Sequence, residues 1–97
     1  MRARSRKRPE WSAQADRDLF DAWLYIATDS FPAAEAVARR IVELAERLMP
    51  YPHLGRPGRV EGTRELPVGR TPFTLVYRLH ANRISIARVL HQRRKYP

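Results

Sequence analysis

Apolar residues in the first half of the chain recur at the three- and four-residue spacing of amphipathic helices. Ser12 is a favourable helix N-cap, and Pro32 suits the first turn of a second helix. The first apolar stripe, which we expect to face a sheet, runs through Leu19, Trp23 and Ile26. The second runs through Val37, Ile41, Leu44 and Leu48. This spacing predicts two helices that pack as an antiparallel hairpin.

After a Pro- and Gly-rich connector at residues 50–62, the apolar period changes to two, which is typical of β-strands. Residues 63–68 form one predicted strand. Alternating apolar residues in two further strands are Phe73, Leu75, Tyr77 and Leu79, then Ile84, Ile86 and Leu90. With a short edge strand at residues 8–11, the pattern predicts an α+β fold of order β-α-α-β-β-β. In it, the two-helix hairpin packs on one face of a small, curved antiparallel sheet.

A two-residue turn at Ala81-Asn82 would pair His80 with Arg83 and so set the register of the last hairpin. That register places Phe73 opposite Leu90, and Arg88 opposite Leu75 on the apolar face. The other face would carry Arg78, Arg83 and His91. We therefore expect function on this open, cationic face.

Composition narrows the class of protein. A chain of 97 residues, 43% of them hydrophobic, predicts one domain over residues 1–97, with residues 1–8 as a flexible basic tail. Cysteine is absent and the histidines lack ligand spacing, so we expect no metal and no cofactor. No apolar run suggests a membrane span or a secretory signal, which favours a cytoplasmic location.

The net charge is +9, and it is distributed unevenly. Residues 1–10 carry five Lys or Arg and one Glu, and residues 73–97 carry six Lys or Arg and no acid. Residues 11–31 carry four Asp and one Arg. In the last hairpin the cations lie within apolar alternation, and so on folded structure. An acidic or polyanionic partner is the expectation.

The chain resembles the RelE/ParE superfamily of toxins from Trp11 to Pro97. The matching pieces, in order, are residues 18–19, 23–27, Leu48, Pro52, 55–60, 62–66, 71–73, 75–78, 88–91 and 93–94. Their order and spacing carry the resemblance, since each piece alone is unspecific. The resemblance implies the toxin of a type II toxin–antitoxin (plasmid stabilisation) module. It also implies an acidic, partly disordered cognate antitoxin in a hetero-oligomer with the toxin.

Members of the superfamily act either on DNA gyrase or by cleaving mRNA on the ribosome, so whether the chain is an enzyme stays open. RNA cleavage needs a base, an acid and cations at one phosphate. His91, Arg64 and Tyr96 are the candidates, with Glu65 as a further acid–base group. The candidates for binding the target or the antitoxin are Arg59, Arg78, Arg83, Arg88, Arg93 and Arg94.

We favour gyrase inhibition, because Thr74 stands where RNA-cleaving members tend to carry an arginine. A simple nucleic-acid-binding module would also account for the charge, and its binding would depend strongly on salt. Interleaved surface aromatics and a helix–turn–helix pattern are missing, so this alternative ranks last.

Overall fold

The computed structural model describes residues 8–92, which form two helices against a five-stranded sheet. The elements are β1 (Glu10–Trp11), α1 (Ala13–Ala27), α2 (Phe31–Arg47), β2 (Arg56–Pro57), β3 (Arg64–Pro67), β4 (Phe73–Leu79) and β5 (Ile84–His91). The strand order across the sheet is β1-β5-β4-β3-β2. The predicted α+β fold class is confirmed. The sheet is mixed rather than wholly antiparallel, because β1 runs parallel to β5.

A serine N-cap immediately precedes each helix. The Ser12 hydroxyl accepts a hydrogen bond from the Ala15 amide at 2.9 Å, and the Ser30 hydroxyl accepts one from the Ala33 amide at 3.2 Å. Within residues 8–92, neither helix is long and apolar enough to cross a membrane.

The two helices meet the sheet differently. Ile41 and Leu48 of the predicted α2 stripe are fully buried, which confirms that face. The buried positions of α1 are Ala15, Asp18 and Ala22, and Leu19 and Ile26 of the predicted stripe pack partly buried against the core. Trp23, expected against the sheet, lies with its ring edge-on to Phe31 at 5.0 Å. That prediction is wrong, because the small side chains at residues 15 and 22 let α1 approach the sheet more closely than an indole would.

The β4–β5 hairpin keeps the predicted register near its turn and departs from it further along. The His80 amide donates to the Arg83 carbonyl at 2.9 Å, and Tyr77 lies opposite Ile86. Beyond that pair Ala87 has no partner in β4, which makes a β-bulge, and Phe73 lies opposite His91 instead of Leu90. Because side chains alternate along a strand, one extra residue exchanges the faces of those that follow.

Beyond the short β1, helix α1 and its N-cap provide hydrogen-bond partners for backbone groups at the edge of β5. The Ser12 amide donates to the Ile86 carbonyl at 3.0 Å, and the Ser12 hydroxyl donates to the Ala87 carbonyl at 3.0 Å. Further along, the Val89 amide donates to Asp18 Oδ2 at 2.9 Å. Ser12, the N-cap of α1, and Asp18 within the helix therefore make the hydrogen bonds that a neighbouring strand would otherwise make, and they hold the bulged segment in place.

Candidate functional site

His91 lies on the helix side of the sheet. Its ring centroid is 5.6 Å from that of Tyr25 in α1 and 5.3 Å from that of Phe73, and both contacts are edge-on. We predicted that His91 would share the open face with Arg78, and this prediction is wrong. The bulge at Ala87 turns His91 towards α1, whereas Arg78 pairs with Ser85 before the bulge and stays exposed.

The open face carries polar contacts of modest strength. Arg78 Nη1 lies 3.4 Å from the Glu61 carbonyl, and the His80 ring nitrogen lies 2.8 Å from the Ser85 hydroxyl. Arg83 Nε lies 3.3 Å from Glu10 Oε1, with both side chains about half exposed. Such exposed pairs contribute little to stability, so Arg78 and Arg83 keep their charges accessible to a partner.

Arg64 holds a loop. Its Nε donates to the Gly55 carbonyl at 2.9 Å, while the Tyr77 hydroxyl accepts from the Gly55 amide at 2.8 Å and donates to the Pro52 carbonyl at 2.8 Å. A Cβ at Gly55 would come within 2.8 Å of the Tyr77 ring, so the close approach requires glycine. Arg64 pairs with Tyr77 and His91 with Phe73, which puts their backbones roughly 15 Å apart.

Glu65 is a buried carboxylate rather than a free acid–base group. It is only 4% exposed, and its Oε2 accepts from the Arg59 amide at 2.9 Å and from Arg59 Nε at 3.3 Å. Burial by itself raises the pKa of Glu65. The hydrogen bonds from Arg59 and the positive charges of Arg59 and Arg56 outweigh that effect and hold its pKa below the ordinary value. Glu65 is thus ionised and fixes the loop before β3.

Arg88 lies opposite Val76, not opposite Leu75 as predicted, because it follows the bulge. Its Nε donates to Asp18 Oδ2 at 2.7 Å and its Nη2 to Oδ1 at 3.2 Å. Gln14 adds a hydrogen bond to Oδ1 at 2.9 Å. Burial raises the pKa of Asp18, but these hydrogen bonds, the Val89 amide and the Arg88 charge hold it below the ordinary value.

Asp18 is one of the residues that carry the family resemblance, but we did not predict it as a site residue, although a signal was present. An acidic residue at i+3 between Ala15 and Ala22 lies on the small-residue stripe that faces the sheet. A carboxylate at such a position needs partners, and β5 supplies them. Arg88 therefore joins β5 to α1, and its assignment to target or antitoxin binding stays a prediction.

A cavity of about 240 Å³ opens between α1 and the sheet, where β4 begins and β5 ends. It is lined by Asp18, Asp21, Ala22, Tyr25, Phe73, Val89 and His91. Of these, only His91 was a predicted site residue. Within residues 8–92, no group of three or more His, Asp or Glu residues is arranged to hold a metal ion.

The helical hairpin exposes large apolar side chains on its outer surface. Phe20, Leu24 and Phe31 are each at least half exposed, and Trp23 stacks on Phe20 at 6.4 Å. The Trp23 indole donates to Glu35 Oε2 at 2.8 Å. We call Phe20, Trp23, Leu24 and Phe31 the hairpin patch. Contiguous exposed apolar surface of this kind marks sites of protein–protein contact.

Three predicted site residues, Arg93, Arg94 and Tyr96, lie outside the described residues, as does most of the predicted basic tail. Among the candidates for RNA cleavage that the structure describes, His91, Arg64 and Glu65 do not meet at one point. Arg59, Arg78 and Arg83 have exposed side chains that a partner could reach, and their roles stay predictions.

Comparison with known proteins shows which protein family the chain resembles in sequence. A family model described as the ParE toxin of type II toxin–antitoxin system, parDE, matches residues 10–96. The candidate toxin Y4kP of Sinorhizobium fredii (strain NBRC 101917 / NGR234) is 38% identical over 93 residues, which cover 96% of each chain.

Two solved structures have a similar fold. One, of the chromosomal ParDE TA system from P. aeruginosa, has a TM-score of 0.78 at 28% identity, over 87% of this chain and 94% of that one. The other, of the YoeB dimer from Staphylococcus aureus, has a TM-score of 0.56 at 20% identity over the same shares, so its likeness concerns the fold alone. With its sequence matched almost from end to end, this chain belongs to the ParE toxin family of type II toxin–antitoxin systems.

Proposed function

We propose that this toxin inhibits bacterial growth by acting on DNA gyrase, without hydrolytic chemistry of its own, and that a cognate antitoxin neutralises it. The observation that carries this choice over RNA cleavage is the bulge at Ala87. It places His91 against Tyr25, on the side of the sheet away from Arg78.

Cleavage of RNA would need the proton-transfer groups and the cations within hydrogen-bond reach of one phosphate. Arg64 is roughly 15 Å from His91 and is bonded to the Gly55 carbonyl. Glu65 is buried and ionised, so it is poorly suited to donate a proton. The described candidates thus support binding better than they support catalysis, and the match to the ParE family points the same way.

The antitoxin proposal rests on one exposed apolar surface and on the net charge of the chain. The hairpin patch exposes aromatic and aliphatic side chains that a protein segment would cover. The net charge of +9 favours a partner that is acidic overall. A partly disordered acidic segment that orders on binding suits both features and would form a hetero-oligomer with the toxin. The similar P. aeruginosa structure is of a ParDE system.

The experiment compares two activities of the purified toxin. We expect it to inhibit supercoiling by gyrase and to leave ribosome-bound mRNA intact, and we expect pre-mixing with antitoxin to abolish the inhibition. His91→Ala and His53→Ala serve as a pair, because His53 lies exposed in the loop before β2. Site-specific cuts in mRNA that disappear with His91→Ala but not with His53→Ala would contradict the proposal.

A further inference from the structure

The cavity between α1 and the sheet combines an apolar floor with aromatic walls. Ala22, Phe73 and Val89 are each 4% exposed and form the floor. Tyr25 and His91 stand beside it, with their rings edge-on to each other at 5.6 Å. The volume of about 240 Å³ lies below the range of about 300–1,000 Å³ that is typical of small-molecule sites. The space therefore suits one long side chain better than a whole ligand.

The two carboxylates that line the cavity differ in their partners. Asp18 is bonded to Arg88, Gln14 and the Val89 amide, so its charge is already compensated. Asp21 is exposed, and no residue among 8–92 forms a hydrogen bond or ion pair with its carboxylate. The cavity thus presents one uncompensated negative charge beside aromatic rings.

We propose that this cavity receives an arginine side chain of the antitoxin. A guanidinium packs favourably on aromatic faces and pairs with a carboxylate, while its aliphatic stem suits an apolar floor. Asp21 would bind the guanidinium and Tyr25 would stack on it. The identity of the donor rests on the proposed function, whereas the chemistry of the cavity does not.

The position of the cavity favours the antitoxin as the source of the cation. Tyr25 lies at the mouth of the cavity and is 62% exposed, and it follows Leu24 of the hairpin patch directly in α1. Consecutive residues of a helix lie about 100° apart around its axis, so a segment that covers the hairpin patch and continues around α1 would reach this mouth and could insert one side chain. Arginine is also among the residues that most often dominate the energetics of protein interfaces.

The first experiment uses the full-length toxin alone, with N-acetyl-arginine amide as the probe and its neutral isostere N-acetyl-citrulline amide as the comparison. We expect NMR shifts of the His91 and Tyr25 ring signals, with the arginine probe binding about tenfold more tightly than the citrulline probe. Asp21→Asn should remove that preference. Asp29→Asn, the same charge change at an exposed site just after α1, should retain it.

Several outcomes would overturn the proposal. These are equal binding of the two probes, absence of binding, or shifts that miss His91 and Tyr25. Binding only after Arg93→Gln and Arg94→Gln would mean that the chain's own cations occupy the cavity, and the proposal would again be wrong.

The second experiment identifies the source of the cation. We expect Asp21→Asn to weaken antitoxin binding about tenfold, while Asp29→Asn leaves it unchanged. Unchanged binding by Asp21→Asn would show that the antitoxin does not supply the cation. A toxin that binds the arginine probe but does not inhibit gyrase would remove the proposed function and leave the cavity's chemistry standing.

Discussion

Tyr77 shows how one buried side chain holds a loop that has little secondary structure of its own. Its hydroxyl accepts from the Gly55 amide and donates to the Pro52 carbonyl, and it reaches both from the centre of β4. The residue is fully buried, so water is not available to the hydroxyl as an alternative hydrogen-bond partner. Together with Arg64 at the Gly55 carbonyl, this group therefore fixes residues 52–55 of the connector between α2 and β3.

Tyr77→Phe should lower the free energy of unfolding by about 1–3 kcal/mol, because it leaves the buried Gly55 amide and the part-buried Pro52 carbonyl without this partner. Urea denaturation measures the change. Tyr51→Phe is the matched control, since Tyr51 is 57% exposed and should lose almost nothing. Equal losses in the two variants would mean that the hydroxyl of Tyr77 does not fix the loop.

Asp18 and Glu65 make stability depend on pH. Both carboxyl groups have pKa values below their ordinary 3.8 and 4.5 in the folded protein, so the unfolded chain binds protons more readily. Their contribution is fully present above those ordinary values and is lost as the pH falls through the lower, folded ones.

We therefore expect the free energy of unfolding, measured in urea at a series of pH values, to fall from about pH 5 downward. Asp18→Asn should be less stable at neutral pH and should show a shallower acid slope than the wild type. An unchanged slope would place the pH dependence elsewhere in the chain.

At the scale of elements, α1 acts both as a core helix and as the neighbour of a strand edge. Ser12 caps the helix and also bonds to the two β5 carbonyls at the bulge, while Asp18 takes the Val89 amide. An uncovered edge of β5 would be open to pairing with other strands. The bulge and the helix therefore depend on each other.

Ser12→Ala and Ser30→Ala test that dependence, because each removes an N-cap and only the first also removes a bond to the bulge. We expect a loss of about 1 kcal/mol for Ser30→Ala. The loss for Ser12→Ala should be larger by about 1 kcal/mol. Thermal unfolding gives the comparison, and amide exchange at residues 87–89 should accelerate in the Ser12 variant alone. Identical losses would mean that the Ala87 carbonyl does not need the hydroxyl.

Periodicity predicted the elements well and the bulge not at all. The α2 stripe, the three longer strands and the Ala81-Asn82 turn follow local rules that a sequence displays directly. Val89 and Leu90 are both apolar, so alternation alone cannot tell which of them faces the helices. That choice depends on the bonds that Ser12 and Asp18 make to β5 some 70 residues away, and His91 was assigned to the wrong face with it.

At the scale of the whole molecule, charge is sorted by position. Residues 11–31, which include α1, carry four Asp and one Arg, whereas residues 73–97 carry six cations and no acid. The acidic stretch carries the whole hairpin patch, and the basic one includes the last hairpin. An acidic partner would be guided first by the basic regions and then held by apolar contacts.

For the proposed antitoxin, this predicts an association rate that falls about tenfold or more between low and high salt, with a smaller change in the dissociation rate. Stopped-flow mixing measures both rates. Arg78→Gln should lower the association rate at low salt, since Arg78 is exposed on the open face. A salt effect confined to dissociation would indicate that steering by net charge is unimportant.

The bulge at Ala87 also determines how the strand would respond to a one-codon deletion in the gene. One codon separates the observed arrangement from a strand with uninterrupted alternation. Deleting that codon would remove only the unpaired Ala87, so the pairs from Val76–Arg88 to Phe73–His91 would persist. Arg88, Leu90 and His91 would therefore keep the sides of the sheet that they occupy. A single in-frame deletion at this position could thus change the twist of the hairpin and the edge of β5 while leaving the chemical groups on each side of the sheet as they are.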